Sequence, residues 1–157
     1  MGHGTVSAIY VSPAAGELPH RVPQVEAVAG RGLVGDRYHD DAGTYSGERW
    51  EPIAHLTLIA EEALAAVRDE AGIELSAAEA RRNVVTTGID LNPLVGRELT
   101  VGGARVQVQR LCEPCAYLEQ ITRPGVLRAL VHRGGLRARI VGGGIIAEGD
   151  HVAEVAR

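Results

Sequence analysis

Short runs of apolar residues, either alternating with polar ones or continuous, dominate the chain. Strands are predicted over residues 5–11, 53–59, 83–87, 97–101, 104–110, 136–141, 145–146 and 151–155. Gly102 and Gly103, between two of these runs, predict a β-hairpin. Because many short strands accompany few helices, without regular alternation, we predict a mainly β fold, a closed or partly closed barrel with helices on its outside.

Helical spacing is confined to a few segments. Apolar positions 60, 63, 64, 67 and 71 share one helix face, and Gly72 suits the end of that helix. Ser76 and Glu79 match a capping box and predict the start of a short second helix. Residues 12–31, in contrast, are a polar stretch with proline and glycine, in which no strand is predicted.

A further helix is predicted to begin at Pro124, a residue favoured in a first helical turn. Leu127, Leu130 and Val131 would lie on one side of it, and the helix would stop near Gly134. It follows the cysteine-bearing segment and precedes the last group of strands.

Composition narrows the class of protein. The 157 residues suit one domain, spanning 1–157, and a formal charge of −4 argues against nucleic-acid binding. No stretch reaches the roughly eighteen apolar residues of a membrane span, and the first residues lack the plan of a signal peptide. Two cysteines are too few for a disulfide framework, so a cytoplasmic location is expected.

The chain contains no lysine, and all sixteen of its basic residues are arginine. A Schiff base to pyridoxal phosphate is therefore excluded in this chain, since that chemistry needs a lysine amine. A Walker A phosphate loop is excluded for the same reason. Arginine can still bind phosphate-bearing or planar ligands through paired hydrogen bonds.

Both cysteines lie in one tetrapeptide, Cys112-Glu113-Pro114-Cys115, between a predicted strand and a predicted helix. A thiol at such a junction can act as a nucleophile or as a ligand of a soft metal. Two cysteines cannot form a four-ligand zinc site by themselves. Simple packing of two small apolar residues at a turn explains the pair equally well.

Two other segments carry candidate binding residues. Within residues 30–39, Arg31 and Arg37 could meet an anion while Asp36 orients one of them, although a tight surface turn explains the same pattern. Arg82 and Asn83, at a predicted helix-to-strand junction, could hold a phosphate or the edge of a heterocycle. The usual enrichment of basic residues at a helix C-terminus is the alternative.

Taken in order, these segments resemble a MOSC domain, the C-terminal domain of molybdenum cofactor sulfurases. The resemblance rests on six segments spread over nearly the whole chain, residues 32–38, 56–59, 81–88, 94–96, 112–115 and 149–152. It implies a single domain with a mainly β, barrel-like fold.

The resemblance also implies a cofactor and a site. The cysteine matching Cys115 is associated in the family with carrying sulfur as a persulfide or with ligating molybdenum. Arg82, Asn83 and Thr86 match the region of the pterin and phosphate pocket of a molybdenum cofactor. Arg37 and Arg133 are added to this predicted pocket because of their charge.

Three hypotheses follow for the function. The first is a molybdenum-cofactor protein that uses Cys115 for metal ligation or sulfur transfer. Its partner would be a separate cysteine desulfurase or a separate reductase. In an enzymatic version, the protein would reduce N-hydroxylated compounds. The second is a thiol–disulfide redox protein that uses Cys112 and Cys115 together. The third is a non-catalytic domain that binds a small anion. Replacing Cys112 separates the first two hypotheses, because only a dithiol mechanism needs it.

Overall fold

The computed structural model describes residues 3–13, 17–36 and 55–156. Within them the strands are β1 His3–Val11, β2 His20–Arg21, β3 Gln24–Val28, β4 Gly32–Leu33, β5 Leu56–Ala60, β6 Val84–Thr87, β7 Glu98–Val101, β8 Ala104–Leu111, β9 Leu136–Gly142, β10 Gly144–Ala147 and β11 His151–Glu154. The α-helices are α1 Glu61–Ala71, α2 Ala77–Ala80, α3 Ala116–Ile121 and α4 Val126–Leu130, and a 3₁₀ helix covers Asn92–Leu94.

Seven of the described strands close a barrel in the order β1, β11, β7, β8, β9, β5, β6 and back to β1. Every neighbouring pair is antiparallel except β5 and β6, which are parallel and joined through α1 and α2. Contact of β11 with β1 leaves this part of the chain without a free barrel edge. The predicted barrel-like fold is confirmed.

A smaller sheet, in the order β10, β3, β4, lies beside the barrel, and β2 forms a short hairpin with β1. The strands β2 and β3 therefore lie in residues 12–31, where the sequence predicted no strand. Val25 and Ala27 alternate with exposed residues and become buried because β3 pairs with β10, about 120 residues further along the chain. Such a distant pairing leaves only a weak local signal in a polar segment.

Two apolar clusters stabilise the fold. The inner cluster fills the barrel and draws on all seven barrel strands, for example Val6, Leu58 and Ile140. The outer cluster lies between the barrel wall and the four helices, where Ile59 and Val85 meet Val67 of α1. Residues next to each other on β5 and β6 therefore face different cores.

The helix signals around α1 and α2 are confirmed. Gly72 caps α1 with a left-handed φ of 69° and donates its N–H to the Arg68 carbonyl, as its lack of a Cβ allows. Ser76 and Glu79 form the complete capping box at the start of α2. No helix among the described residues is long and apolar enough to span a membrane.

The helix predicted to begin at Pro124 is present, but both of its ends differ from the prediction. Gly125 is the N-cap of α4, so Pro124 precedes the helix. Val131 lies beyond its last residue and is 47% exposed, whereas Leu130 is fully buried. The helix is a turn shorter than the apolar spacing suggested because the chain already turns toward β9 at Val131.

Candidate functional site

The cysteine segment, residues 112–115, lies between a strand and a helix, as predicted. β8 ends at Leu111, and Cys115 is the N-cap residue of α3. Cys112 is only 1% exposed, while Cys115 is half-buried against the outer apolar cluster. Both thiols are free. The two cysteines therefore have different environments, and Cys115 is the more accessible thiol.

Arg82 is buried behind this segment and fastens it to the rest of the protein. Its guanidinium donates three hydrogen bonds, from Nε to the Gly134 carbonyl at 2.7 Å, from Nη1 to the Ala80 carbonyl at 3.0 Å and from Nη2 to the Cys112 carbonyl at 3.1 Å. The Cys112 N–H in turn donates to the Gly135 carbonyl at 2.7 Å. Arg82 thus joins α2, the cysteine segment and the loop before β9, and acts as a positioning residue.

Two glycines in the loop before β9 allow that loop to lie close to the cysteine segment and to β5. A Cβ at Gly134 would collide with the Cys112 carbonyl, and one at Gly135 would collide with the Leu58 carbonyl. Gly135 also has a φ of +95°, which residues with a side chain rarely adopt. The loop therefore needs glycine at both positions.

Asn83 is also buried, and its carboxamide is the centre of a polar cluster. Its Oδ1 accepts the Thr57 N–H at 3.0 Å and the Thr57 hydroxyl at 3.2 Å. Its Nδ2 donates to the Tyr10 carbonyl at 3.0 Å and to Asp36 Oδ1 at 3.3 Å. Asp36 Oδ1 also accepts the Ser12 N–H at 2.9 Å. Two segments singled out in the sequence, around Asp36 and around Asn83, therefore meet in space.

Thr86 differs from these residues. It is fully buried, and its Oγ1 is, among the described residues, the buried side-chain polar atom that has no hydrogen-bond partner. It alternates with the outward-facing Val85 and lies opposite Val6 and Ala60 of the neighbouring strands. An unpaired buried hydroxyl costs about 1–3 kcal/mol, so this atom needs an explanation beyond stability.

A cleft of about 450 Å³ opens beside the loop before β9. Its walls come from the start of α1, from residues 88–92 and from His132, Arg133 and Gly135. Arg133, predicted as a binding residue, lines this cleft and pairs with Glu70 at 2.8 Å. Neither cysteine lines it.

One carboxylate links the cleft to the cysteine segment. Glu113 accepts the His132 N–H through Oε1 and contacts His132 Nδ1 through Oε2, both at 2.8 Å. His132 has a left-handed φ of 61°, which is uncommon for a residue with a side chain. The middle of the cysteine tetrapeptide is thereby held to the wall of the cleft.

Three arginines that the sequence did not single out share the outer face of β8 and β9. Arg110 lies directly opposite Arg137, and Arg139 is two residues further along β9 on the same side. The residues between them, such as Ala138, point into the barrel and are buried. We call Arg110, Arg137 and Arg139 the arginine row. The alternation along each strand marks them as outward-facing, but their proximity depends on the register between β8 and β9.

The arginine row also affects a neighbouring histidine. His55 is buried and accepts the Ile140 N–H through Nδ1 at 3.0 Å. Burial lowers the pKa of His55 below its ordinary value, and the positive charge of Arg139 lowers it further. His55 is therefore held in the neutral form that this hydrogen bond requires.

The predicted site residues thus separate into groups. Arg82 contacts the cysteine segment, Asn83 lies in the neighbouring polar cluster, Thr86 faces the barrel interior and Arg133 lines the cleft. Arg37 lies outside the described residues. In the described part of the chain, no three His, Cys, Asp or Glu side chains are grouped to hold a metal ion.

Solved structures share this architecture. The YuaD protein from Bacillus subtilis superposes with a TM-score of 0.82 at 15% identity, over 99% of this chain and 97% of that one. YiiM from Geobacillus stearothermophilus gives a TM-score of 0.70 at 18% identity, over 98% and 76% of the two chains. YiiM from Escherichia coli gives 0.66 at 20% identity, over 99% and 70%. These likenesses show a common fold.

The family comparison is more direct. No curated protein matches the chain. The model of the MOSC domain matches residues 36–153, which include Asp36, the buried arginine and asparagine pair, the cysteine segment and the last strands. Since this match covers about three quarters of the sequence, the chain belongs to the MOSC domain family.

Proposed function

We propose that this protein binds a molybdenum cofactor of the molybdopterin type and uses Cys115 to ligate the metal or to carry sulfur. The observation that carries the proposal is the contrast between its two thiols. Cys115 is half-buried at the strand-to-helix junction, whereas Cys112 is 1% exposed and held in place by Arg82 and Gly135.

The donor set supports a metal that arrives inside a cofactor. Cys115 supplies one soft sulfur ligand, which suits molybdenum, and no described acidic or histidine cluster would complete a site for a bare ion. When bound, the cofactor would supply the redox chemistry of the metal, and Cys115 would hold it.

In sulfur transfer, the Cys115 thiolate attacks the outer sulfur of a persulfide on a donor protein. The new sulfur–sulfur bond forms at Cys115, the donor's bond breaks, and the donor leaves as a thiolate, so no external oxidant is needed. A separate cysteine desulfurase is the proposed sulfur source, because the chain has no lysine to form a pyridoxal phosphate Schiff base. A reductive reaction on N-hydroxylated compounds would instead need a separate reductase. Both roles suit a reducing cytoplasm.

The test compares the wild type with Cys115→Ser and Cys112→Ala. Each purified protein is measured for bound molybdenum and, after incubation with a persulfide donor, for the added mass of sulfur. We expect wild type and Cys112→Ala to keep the metal or the sulfur, and Cys115→Ser to lose it. Retention by Cys115→Ser contradicts the proposal. Loss in both variants favours the thiol–disulfide hypothesis, in which the two cysteines act together.

A further inference from the structure

Hydrogen bonds of Cys112 and of Glu113 hold the cysteine segment to distant parts of the chain. The backbone of Cys112 is bonded to Arg82 and to the loop before β9. The carboxylate of Glu113 is bonded to His132. Cys115 makes no capping hydrogen bond through its side chain, although it is the N-cap residue of α3. The position of its thiol therefore depends on what holds the residues before it.

Both oxygens of the Glu113 carboxylate bond to the same residue. Oε1 accepts the His132 N–H and Oε2 contacts His132 Nδ1, each at 2.8 Å. The two residues are 19 positions apart in the chain. Two parallel hydrogen bonds to one carboxylate fix its orientation as well as its distance. Glu113 is therefore held in one place relative to His132, although its side chain is 43% exposed.

His132 is a firm partner because its own backbone is fixed. Its φ of 61° lies in the left-handed region, which a residue with a side chain rarely adopts unless its surroundings hold it there. Its carbonyl accepts the Asn92 Nδ2–H at 2.9 Å, while its N–H donates to Glu113. Because the His132 side chain is 74% exposed, the contact with Glu113 adds little stability. An unusual backbone conformation that adds little stability points to a role in positioning.

Pro114 links the anchored carboxylate of Glu113 to Cys115. The proline ring fixes its own φ, and it also restricts the preceding residue, Glu113, to extended conformations. The link between the carboxylate-bearing residue and the thiol is thus a single stiff residue. Cys115 is half-buried against the outer apolar cluster. Movement of Glu113 would therefore carry the thiol out of this half-buried position.

We infer that Glu113 is a positioning residue for Cys115, because its two bonds to His132 hold the thiol half-buried and so set the rate at which it reacts. Glu113 acts through Pro114 and not by contact with the reacting sulfur. The inference rests on the proposed function only for the choice of Cys115 as the working thiol. A metal or a sulfur donor that approaches Cys115 then meets a thiol in one arrangement, which favours a reactive geometry.

The experiment measures the rate at which iodoacetamide alkylates Cys115 in the full chain at one fixed pH, followed by intact mass. All proteins carry Cys112→Ala, so that the added mass reports Cys115 alone. Glu113→Ala removes both bonds, whereas Glu113→Gln keeps an acceptor oxygen for the His132 N–H and loses the charge. The matched control is Glu61→Ala, which removes an exposed glutamate from α1.

We expect Glu113→Ala to raise the alkylation rate of Cys115 by about two- to fivefold, because an exposed pair of this kind shifts an equilibrium by a factor of that order. Glu113→Gln should restore most of the parent rate, and Glu61→Ala should leave it unchanged. An unchanged rate in Glu113→Ala would overturn the inference. An equal rise in Glu113→Gln would overturn it too, because the effect would then come from the lost charge and not from position.

The same measurement on Cys112 distinguishes local movement from general opening of the fold. Here Cys115→Ser replaces Cys112→Ala in every protein, and Cys112 is 1% exposed. We expect Cys112 to remain protected in Glu113→Ala. Faster alkylation of Cys112 as well would mean that Glu113 stabilises the whole region, and would overturn its role as a positioning residue.

A double-mutant cycle with His132→Gly tests whether Glu113 acts through His132. Glycine adopts a left-handed φ readily and keeps the N–H, but it removes the ring nitrogen. We expect His132→Gly alone to raise the alkylation rate of Cys115 less than Glu113→Ala does. The double variant should react no faster than Glu113→Ala, since both changes break one contact. Independent, additive effects would overturn the inference.

Alkylation needs no cofactor, so the result can be separated from the proposed function. If Cys115→Ser keeps molybdenum and sulfur, the proposed function fails, while the dependence of the Cys115 thiol on Glu113 stands. If Cys115 does hold the metal or the sulfur but Glu113→Ala is alkylated at the parent rate, the inference fails and the proposed function stands.

Discussion

Arg82 and Arg110 both lie next to the cysteine segment, one in space and one along the chain, but their surroundings differ. Arg82 is 8% exposed and donates to three backbone carbonyls, including that of Cys112. Arg110, two residues before Cys112, points outward from β8 and is exposed. The comparison shows that two arginines next to one segment can differ in role: Arg82 is part of its scaffold, whereas Arg110 is exposed to solvent.

Burial and the presence of nearby hydrogen-bond acceptors determine which of these two roles an arginine has. A buried guanidinium must satisfy its N–H groups within the protein, because an unsatisfied buried donor is costly. The loop before β9 offers the Gly134 carbonyl for this purpose only because two glycines let the chain come close. An exposed guanidinium is solvated by water, which a phosphate can displace.

The largest effect expected from this comparison is that of Arg82→Met. The substitution leaves three carbonyls without their donors and should lower the free energy of unfolding by about 3 kcal/mol or more. Arg110→Gln should change it by less than about 0.5 kcal/mol. Urea unfolding of both variants measures the difference. An Arg82→Met protein as stable as the wild type would break the comparison, because Arg82 would then not be needed to hold the cysteine segment.

A smaller effect is expected from two threonines in the same region. Thr57→Val removes the hydroxyl that donates to Asn83 Oδ1 and accepts the Asn83 N–H, and should cost about 1–2 kcal/mol. Thr86→Val removes a buried hydroxyl without a partner and should be neutral or stabilising by up to about 1 kcal/mol.

Chemical denaturation of Thr57→Val and Thr86→Val in the absence of ligand measures the two changes in the free energy of unfolding. Val has nearly the shape of Thr, so each variant isolates a hydroxyl. Equal destabilisation by both substitutions would mean that the Thr86 hydroxyl has a hydrogen-bond partner in the folded protein.

The smallest effect concerns His55, which is buried, bonds to the Ile140 N–H and is influenced by the charge of Arg139. Its folded-state pKa is lowered from 6.5, so between the two values the unfolded chain binds the proton and the folded chain does not. The stability contributed by neutral His55 is therefore present above about pH 6.5 and is lost as the pH falls below it, with a slope of at most about 1.4 kcal/mol per pH unit.

Unfolding midpoints between pH 5 and 7.5 measure this dependence. Glu79 and Glu148 also have lowered pKa values, but from 4.5, so they act below this window. We expect Arg139→Gln to reduce the dependence and His55→Gln to abolish it. An unchanged pH dependence in His55→Gln would assign the effect to another group.

Much of the fold was readable in the sequence because its signals are local. The capping box of Ser76 and Glu79, the left-handed Gly72 and the hairpin at Gly102 each involve residues within a few positions of one another. β3 was missed because its partner β10 lies far along the chain, and the end of α4 was misplaced because the route toward β9 sets it.

Some features of the candidate site could likewise be predicted from the sequence, and others could not. The sequence identified the cysteine segment, its position between strand and helix, and the arginine and asparagine pair beside β6. It could not distinguish Arg82 from Arg110, since both are arginines next to a strand. Only the register of β8 with β9 placed Arg110 opposite Arg137.

By itself, therefore, the sequence determined the mainly β class, the family and the absence of any lysine chemistry. These follow from residue identity and short-range patterns. The tertiary structure decided which thiol is accessible, that Arg82 is turned inward onto carbonyls, and that three arginines gather on one face. Burial and strand register arise only when distant segments pack together, and they determine which polar groups remain available for a ligand.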